Sequence, residues 1–547
     1  MNMVKSRRDR RARAIAVLGT GSDVGKSVVA AGLCRLLHRK GVRVAPFKAQ
    51  NMSLNSFVTA EGGEIGRAQA LQAEACGLPP HVDMNPILLK PESDHCSQVV
   101  VQGEVWGKFD GNNYFAKNRE LFRFVRESYE RLAAAYDVIV IEGAGSAAEM
   151  NLRDRDLVNW PVVELADAAV VLVADIDRGG VFAQVIGTLG LISPEERQRV
   201  VGVVVNKFRG DARLFADGIV ILKARTGVPV LGMIPFLRDL ELDQEDGVEM
   251  ERYRHARFSS RHANVAVVLL PRMSNFTDFN ALAAEPDVAL RYVASLSDIE
   301  EADVVVLPGS KNTIADLEHL RRGGFPKALQ EHVERGGELI GICGGYQMLG
   351  REISDLQGVE SGGHVQGLGF LDVVTELQLQ KRMGQVEALP LHLEATPGDI
   401  VCGYEIHMGL TRRGSASPCF RILRRAAREG WRNEETEDGA FRRDRFVWGT
   451  YLHGVFDRPG FRRRWLNRLR RRKGQPPLDN AISEAVTARL RSALDRWADH
   501  LEKHLDLAGI FAALGLRHGG GTMKEKEKAS NSPDLNATNM MKGETQC

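Results

Sequence analysis

Short β-branched runs alternate with longer segments of mixed polarity through the first 236 residues. The alternation predicts strands at 15–18, 42–47, 138–141, 169–174, 200–205 and 230–234. Runs of this length separated by helix-length stretches are the pattern of parallel strands covered by helices on both faces. The pattern breaks at 237, where Asp239, Glu241, Asp243, Glu245 and Asp246 give way to Arg252, Arg254, His255 and Arg257 without any period, so 237–263 reads as a linker. The rhythm resumes with strands at 265–270, 304–307 and 338–342, then turns more β-like around 370–377 and 446–452. A basic segment at 462–473 carries Trp465, Leu466 and Leu469 at helical spacing, which predicts a packed helix with a solvated basic face rather than a nucleic-acid surface. Beyond 519 large apolar residues almost vanish, and a disordered tail over 519–547 is expected. The chain is therefore expected to be α/β, with one parallel-sheet domain over 14–236 and a second domain over 264–500.

Composition narrows the class. Lys and Arg total 73 against 71 Asp and Glu in 547 residues, a net charge of +2, which argues against a chain organised around a nucleic-acid backbone. Seven cysteines without a CxxC pair suit neither a disulfide scaffold nor a zinc ribbon and point to a reducing, cytoplasmic setting. The basic N-terminus is followed by an apolar stretch that Gly19 cuts short, too brief for a signal sequence, and no apolar run reaches the ~18 residues of a membrane helix. Neither a membrane nor a nucleic acid is an expected partner.

The first chemical constellation is Gly19-Thr20-Gly21-Ser22-Asp23-Val24-Gly25-Lys26-Ser27, placed after a strand and before the helix-like 28–37. Glycines let a loop turn its N–H groups toward phosphate oxygens, and the following helix N-terminus adds its positive end. Lys26 can reach the β- and γ-phosphates, and the Ser27 hydroxyl is placed for Mg²⁺. The usual spacing wants glycine where Thr20 stands, one residue after Gly19. Lys48, ending the second strand, offers a second cation, and Glu142, ending the third, offers a carboxylate to Mg²⁺. Asn206 and Lys207 end another strand and are expected to face the nucleotide base. All lie at strand C-termini, where open α/β sheets bind ligands. The loop resembles the variant phosphate loop of the dethiobiotin synthetase-like ATPases, in which the Gly19–Thr20 arrangement is the usual form. That resemblance implies ATP as co-substrate and activation of a carboxylate.

The second constellation is Gly341-Ile342-Cys343-Gly344-Gly345-Tyr346-Gln347, which puts a cysteine between a strand and a helix with small neighbours. Such a turn exposes the sulfur, and the helix N-terminus lowers the thiol pKa and offers N–H groups to an oxyanion. Gly344 is one candidate oxyanion donor; Gly309, in Leu307-Pro308-Gly309-Ser310, is another. His453, in Tyr451-Leu452-His453-Gly454, is the candidate base. Residues 265–472 resemble the class I glutamine amidotransferases, which implies a flavodoxin-like fold and a Cys–His pair that releases ammonia from glutamine through a thioester. That family commonly has Glu two residues after the histidine. Here the position is Val455, so the expectation is a dyad of Cys343 and His453, with Asp457 a weak third candidate that reads better as a surface turn.

Together the two halves imply ATP-dependent amide formation fed by glutamine. Phe47-Lys48-Ala49-Gln50-Asn51-Met52-Ser53-Leu54-Asn55-Ser56, Glu64-Ile65-Gly66-Arg67-Ala68-Gln69-Ala70, Met84-Asn85-Pro86-Ile87-Leu88-Leu89-Lys90-Pro91, Gly143-Ala144-Gly145-Ser146 and Gly403-Tyr404-Glu405-Ile406-His407-Met408-Gly409 resemble the cobyric acid synthase family, with similarity over 14–479. The resemblance implies Mg²⁺, ATP and glutamine as requirements. It also implies amidation of the b, d, e and g carboxylates of adenosylcobyrinic acid a,c-diamide in cobalamin biosynthesis, with the corrinoid as substrate. Two alternatives stay open at this point: a cobyrinic acid a,c-diamide synthase with the same domain plan, and a P-loop switch protein with a non-catalytic amidotransferase domain.

Overall fold

A computed structural model describes residues 12–237, 240, 242, 257–391, 399–427, 430–442 and 446–516. Most of the expected linker, the basic N-terminus and the expected tail lie outside the described residues.

The first sheet has six strands in the order Val230–Pro235, Val200–Phe208, Ala169–Asp175, Arg13–Gly19, Val138–Glu142, Val44–Phe47, all parallel. Six of the seven residues of Arg13–Gly19 are buried, as expected of a central strand with helices on both faces. The six expected strands of this half all form. An antiparallel-rich insertion, which the sequence pattern did not reveal, follows the second strand. It comprises Gln50–Met52, Ile87–Pro91, Cys96–Val101 and Glu104–Asp110, with a separate pair Ser56–Val58 and Glu64–Gly66.

The second sheet runs Val288–Val293, Ala263–Val268, Val304–Leu307, Glu338–Ile342, Val447–Thr450, Ala440–Arg442, parallel except for the last strand. Beside it stands a separate seven-stranded sheet built around the antiparallel strands Val373–Pro390 and Val401–Arg413. Among the described residues no helix is long and apolar enough to cross a membrane.

Two expectations are corrected. The second domain was expected to run to 500, yet the helices Val486–His504 and Leu507–Ala513 cover the first sheet. Ala493, Leu494, Trp497, Ala498 and Leu501 form one buried stripe that joins the core around Ile15, Val17 and Val29. Trp497 Nε1 donates to the Val28 carbonyl at 2.6 Å, and Arg35 pairs with Asp495 at 2.8 Å. The contact is close enough that a Cβ at Gly32 would overlap Leu501 and Trp497. The basic helix Pro459–Arg472 does pack, but its arginines are not all solvated. Arg462 and Arg463 are buried, Arg462 Nε donating to Glu285 at 2.6 Å and Arg463 to both oxygens of Asp287 at 2.8 and 2.9 Å. Burying a guanidinium is tolerable when carboxylates satisfy its donors in this forked geometry.

Candidate functional site

The phosphate loop lies at the C-terminal end of the central strand and leads into the helix Lys26–Arg39. Gly25 has φ 96°, a left-handed conformation suited to glycine, and its α-carbon faces the Asn206 amide too closely for a Cβ. Gly19 is held against Val24, and Thr20 N–H donates to the Val173 carbonyl at 2.9 Å. Lys26 Nζ bends back to the carbonyls of Gly21 and Gly145, each at 2.9 Å. Lys48 and Glu142, at two strand ends, and Ser27, in the first turn of the helix Lys26–Arg39, do converge. Glu142 accepts from Lys48 Nζ at 2.7 Å and from Ser27 Oγ at 2.7 Å, with the Gln72 amide on its other oxygen. Burial works to raise the Glu142 pKa, but Lys48 and the hydrogen bonds outweigh it, and the carboxyl sits below its usual value. Asn206 Nδ2 donates to the Val24 carbonyl at 2.9 Å, and Lys207 bonds the Asp23 carbonyl and Asp175. Both line a cavity of about 80 Å³ closed by Phe236, Leu240 and Trp497, so the C-terminal helix contributes a wall beside the loop.

Cys343 has φ 50° and ψ −107°, an unusual conformation for a residue with a side chain, at the junction of Glu338–Ile342 and the helix Gly344–Leu349. The turn fits because its neighbours are small: a Cβ at Gly345 would overlap the Leu307 carbonyl. His453 is buried and in hydrogen-bond contact with the Cys343 sulfur. Its Nδ1 is 2.7 Å from Asp278 Oδ2, while Oδ1 of the same carboxylate accepts from Gly454 N–H at 3.0 Å. Burial opposes a charged imidazole, but Asp278 and the cysteine sulfur prevail and raise His453 to about 10. His453 therefore has a carboxylate partner that the expected dyad did not include. Asp278 lies in a 3-10 turn, Phe276–Phe279, of the same domain, far from His453 in sequence, and no spacing rule would have found it. Asp457 does not take that place.

Of the two expected oxyanion positions, Gly344 is at the head of the helix. Gly309 pairs with Ser274 in a short antiparallel bridge. Ser310 N stands closer to Gly344, since a Cβ on Gly344 would lie 2.9 Å from it. Four further residues surround the site, standing within the motifs but given no role by the sequence. Tyr404 stacks on His453 at 5.2 Å between ring centroids. Gln347 Nε2 donates to Tyr451 Oη at 3.1 Å. His407 lies over Tyr451, with Nδ1 2.8 Å from the Gly409 carbonyl, and burial above all lowers its pKa to about 4.

The pocket at Cys343 is not closed by its own domain alone. Its cavity of about 50 Å³ is also lined by Lys90 and Gln98 of the first domain. Lys90 and Lys381, one from each domain, both hold the buried Glu64, each at 2.5 Å. Tyr404 Oη donates to the Ser56 carbonyl at 3.1 Å, and Thr277 Oγ1 donates to Asn55 Oδ1 at 3.1 Å. The cysteine site and the phosphate-loop domain thus share one wall.

Residues 15–248 match the CobQ/CobB/MinD/ParA nucleotide binding domain, and residues 264–461 match the CobB/CobQ-like glutamine amidotransferase domain. The protein is thus a nucleotide-binding domain joined to a glutamine amidotransferase domain, the build of a glutamine-hydrolysing amide synthase. A cobyric acid synthase of Syntrophobacter fumaroxidans is 48% identical over 515 residues, covering 92% of this chain and 99% of that one. One from Klebsiella pneumoniae (strain 342) is 50% identical over 507 residues, covering 92% and 98%. One from Sorangium cellulosum is 47% identical over 519 residues, again covering 92% and 98%. The chain belongs to the cobyric acid synthase family, enzymes of cobalamin biosynthesis.

Proposed function

We propose that this enzyme uses ATP and glutamine to amidate the b, d, e and g carboxylates of adenosylcobyrinic acid a,c-diamide. The observation that carries the reading is the Cys343–His453–Asp278 array, buried against a wall that the nucleotide-binding domain supplies. A protein that kept the amidotransferase fold only as a binding module would have no need of a charged histidine held between a carboxylate and a thiol.

With His453 raised to about 10, its imidazole is protonated at neutral pH and stands ready to give up a proton. The Cys343 thiolate attacks the side-chain amide carbon of glutamine. N–H groups at Gly344 and at Gly309, whose α-carbon faces His453, meet the oxyanion, with Ser310 beside them. His453 Nε2, left for the sulfur side by the Nδ1–Asp278 bond, gives its proton to the departing nitrogen, and ammonia leaves. A water then attacks the thioester while His453 takes up its proton, releasing glutamate.

In the first domain, Gly19 to Ser27 wrap the phosphates, and Lys26 exchanges the Gly21 and Gly145 carbonyls for phosphate oxygens. Lys48 adds positive charge where the γ-phosphoryl group passes to the substrate carboxylate. Ammonia displaces phosphate from the acyl phosphate, forming the amide. Among the described residues no cluster of three or more His, Cys, Asp or Glu could hold a metal. Mg²⁺ commonly takes only one or two carboxylates plus substrate phosphates, however, and the ionised Glu142 beside the Ser27 hydroxyl suits it. When bound, the ion would neutralise phosphate charge. Asn206 and Lys207 fix the loop and border the space for the base.

The test is incubation with the a,c-diamide corrinoid, ATP, Mg²⁺ and glutamine, followed by mass spectrometry. Successive replacements of carboxylate OH by NH₂, dependent on ATP, are the expected result. An unchanged corrinoid under conditions where glutamine is hydrolysed would refute the assignment.

A further inference from the structure

Two buried hydrogen-bond acceptors stand without a partner in the pocket of Cys343. Buried polar atoms are nearly always hydrogen-bonded, so each needs an account. The first is Oε1 of Gln98, a first-domain residue that is 1% exposed, and the second is Nε2 of His407, 9% exposed. Neither finds a donor among the described residues. Both residues line the same cavity of about 50 Å³ as Cys343 and His453. The strand segment 406–408 draws them together. The Ile406 carbonyl lies 3.6 Å from Cys343 Sγ, His407 follows, and Gln98 Nε2 donates to Met408 Sδ at 3.7 Å, which leaves the amide oxygen over. His407 Nδ1 is 2.8 Å from the Gly409 carbonyl, which can only accept, so Nδ1 carries the proton. Burial above all lowers the His407 pKa to about 4, so the ring is neutral at neutral pH and Nε2 keeps a bare lone pair. The charged groups of the cavity are matched elsewhere. Lys90 and Lys381 hold Glu64, Lys311 holds Glu92, and Glu360 accepts from Thr313 N–H at 2.6 Å.

We propose that Gln98 Oε1 and His407 Nε2 accept the two N–H bonds of the glutamine side-chain amide, so that the first domain supplies part of the glutaminase site. The inference rests on the glutaminase reading of Cys343 and adds the groups that recognise the nitrogen of its substrate. Two acceptors without a donor call for a ligand atom that carries two hydrogens. The amide nitrogen of glutamine is that atom, attached to the carbon that Cys343 attacks. Once attack has made this nitrogen pyramidal, holding both N–H bonds leaves its lone pair for the His453 proton. The same two acceptors reject the product. Glutamate offers a carboxylate in place of the amide, has no hydrogen to give there, and sets negative oxygens against two lone pairs. A site built around substrate N–H groups discriminates steeply against an analogue that lacks them.

Steady-state glutamine hydrolysis by the full chain, with ATP and the a,c-diamide corrinoid present and glutamate as competing inhibitor, tests the proposal. Gln98→Met keeps length and volume but removes the acceptor, and Gln98→Glu keeps an acceptor oxygen. The kcat/KM for glutamine should fall about tenfold or more in Gln98→Met and stay within about threefold of wild type in Gln98→Glu. A residue that only packs would show the opposite order, because a buried apolar swap is tolerated better than a buried charge. His407→Phe keeps a ring over Tyr451 and removes Nε2, and should cost a factor similar to that of Gln98→Met. The ratio of the glutamate inhibition constant to the glutamine KM should fall in Gln98→Met and rise in Gln98→Glu. Wild-type thermal midpoint and ATP affinity establish that a variant is folded. Wild-type kcat/KM in folded Gln98→Met and His407→Phe, or the packing order at position 98, would overturn the proposal while leaving Cys343 as the nucleophile. A wild-type protein that hydrolyses no glutamine would instead overturn the reading of Cys343, and this inference with it.

Discussion

Asp278 and His453 meet through a 2.7 Å hydrogen bond across 175 positions of sequence. The carboxylate fixes the imidazole through Nδ1 and is a principal reason that His453 is raised to about 10 from its ordinary 6.5. Asp278→Asn keeps the shape and removes the charge, so the His453 pKa should fall. Less imidazolium then remains at pH 8, and glutamine hydrolysis should drop by roughly 10²–10⁴-fold with its alkaline limb moved to lower pH. A pH profile of glutaminase activity checks this; an unmoved limb would count against the role given to Asp278.

The same shift carries a stability consequence. A folded-state pKa above the unfolded one means that the ion pair stabilises the fold fully below about pH 6.5. That contribution is lost as pH rises through about 10. Between these values the wild-type thermal midpoint should decline with pH more steeply than that of Asp278→Asn, measured by scanning calorimetry in matched buffers.

Cys343→Ser should abolish synthesis from glutamine while retaining synthesis from high ammonia near pH 8.5. A serine hydroxyl is far the weaker nucleophile at that pH, and the phosphate-loop residues are untouched. Amide product measured with each nitrogen donor decides the matter. Surviving glutamine activity would mean that the nucleophile is another residue.

Lys26→Ala should cut amidation by roughly 10²–10³-fold with either nitrogen donor, because a positioned cation at the phosphoryl group is lost. Glutamine hydrolysis at Cys343 should persist. Near-normal synthesis from ammonia in this variant would contradict the assignment of the phosphate loop.

The parallel strands and both glycine-flanked turns were legible because their signals are local: β-branched runs, then small residues at fixed spacing. The motifs around 50–56 and 403–409 could be matched to a family without any hint of what they do. The fold supplies the reason, since Tyr404 reaches the Ser56 carbonyl and the two segments form one interface. Asp278 was illegible for the same physical cause. A carboxylate delivered by a distant 3-10 turn leaves no periodic trace. The insertion strands escaped as well, because Gln50-Asn51-Met52 shows no apolar alternation and pairs only in tertiary context. Arg462 and Arg463 misled in the other direction, since charge reads as solvent exposure unless the partner carboxylates are in view.

Arg463→Met should destabilise the protein by about 1.5–3 kcal/mol, because Asp287 and Glu285 lose the guanidinium they share, although Arg470 and Arg462 still reach them. Urea unfolding of the isolated variant measures this. A change below about 1 kcal/mol would show that the two carboxylates find water or other donors, as at an exposed pair.

A chain ending at 485 should lose nucleotide binding and solubility, whereas one ending at 516 should keep both. The first removes Leu494, Trp497 and Leu501 from the core beside the phosphate-loop helix. Nucleotide titration of the two purified chains, with light scattering, tells them apart.

That docked helix also sets a schedule for the protein's birth. The strand that begins the first domain leaves the ribosome ahead of the amidotransferase domain, but Trp497 stands 469 residues after the Val28 carbonyl it binds. At roughly 5–20 residues per second, the intervening chain takes about 25–100 s to synthesise. For that interval the phosphate-loop helix presents an uncovered apolar face while the whole amidotransferase domain is being made and folded behind it. Nucleotide binding at full strength is therefore acquired only after the amidotransferase domain has been made, although its signature is translated before that domain.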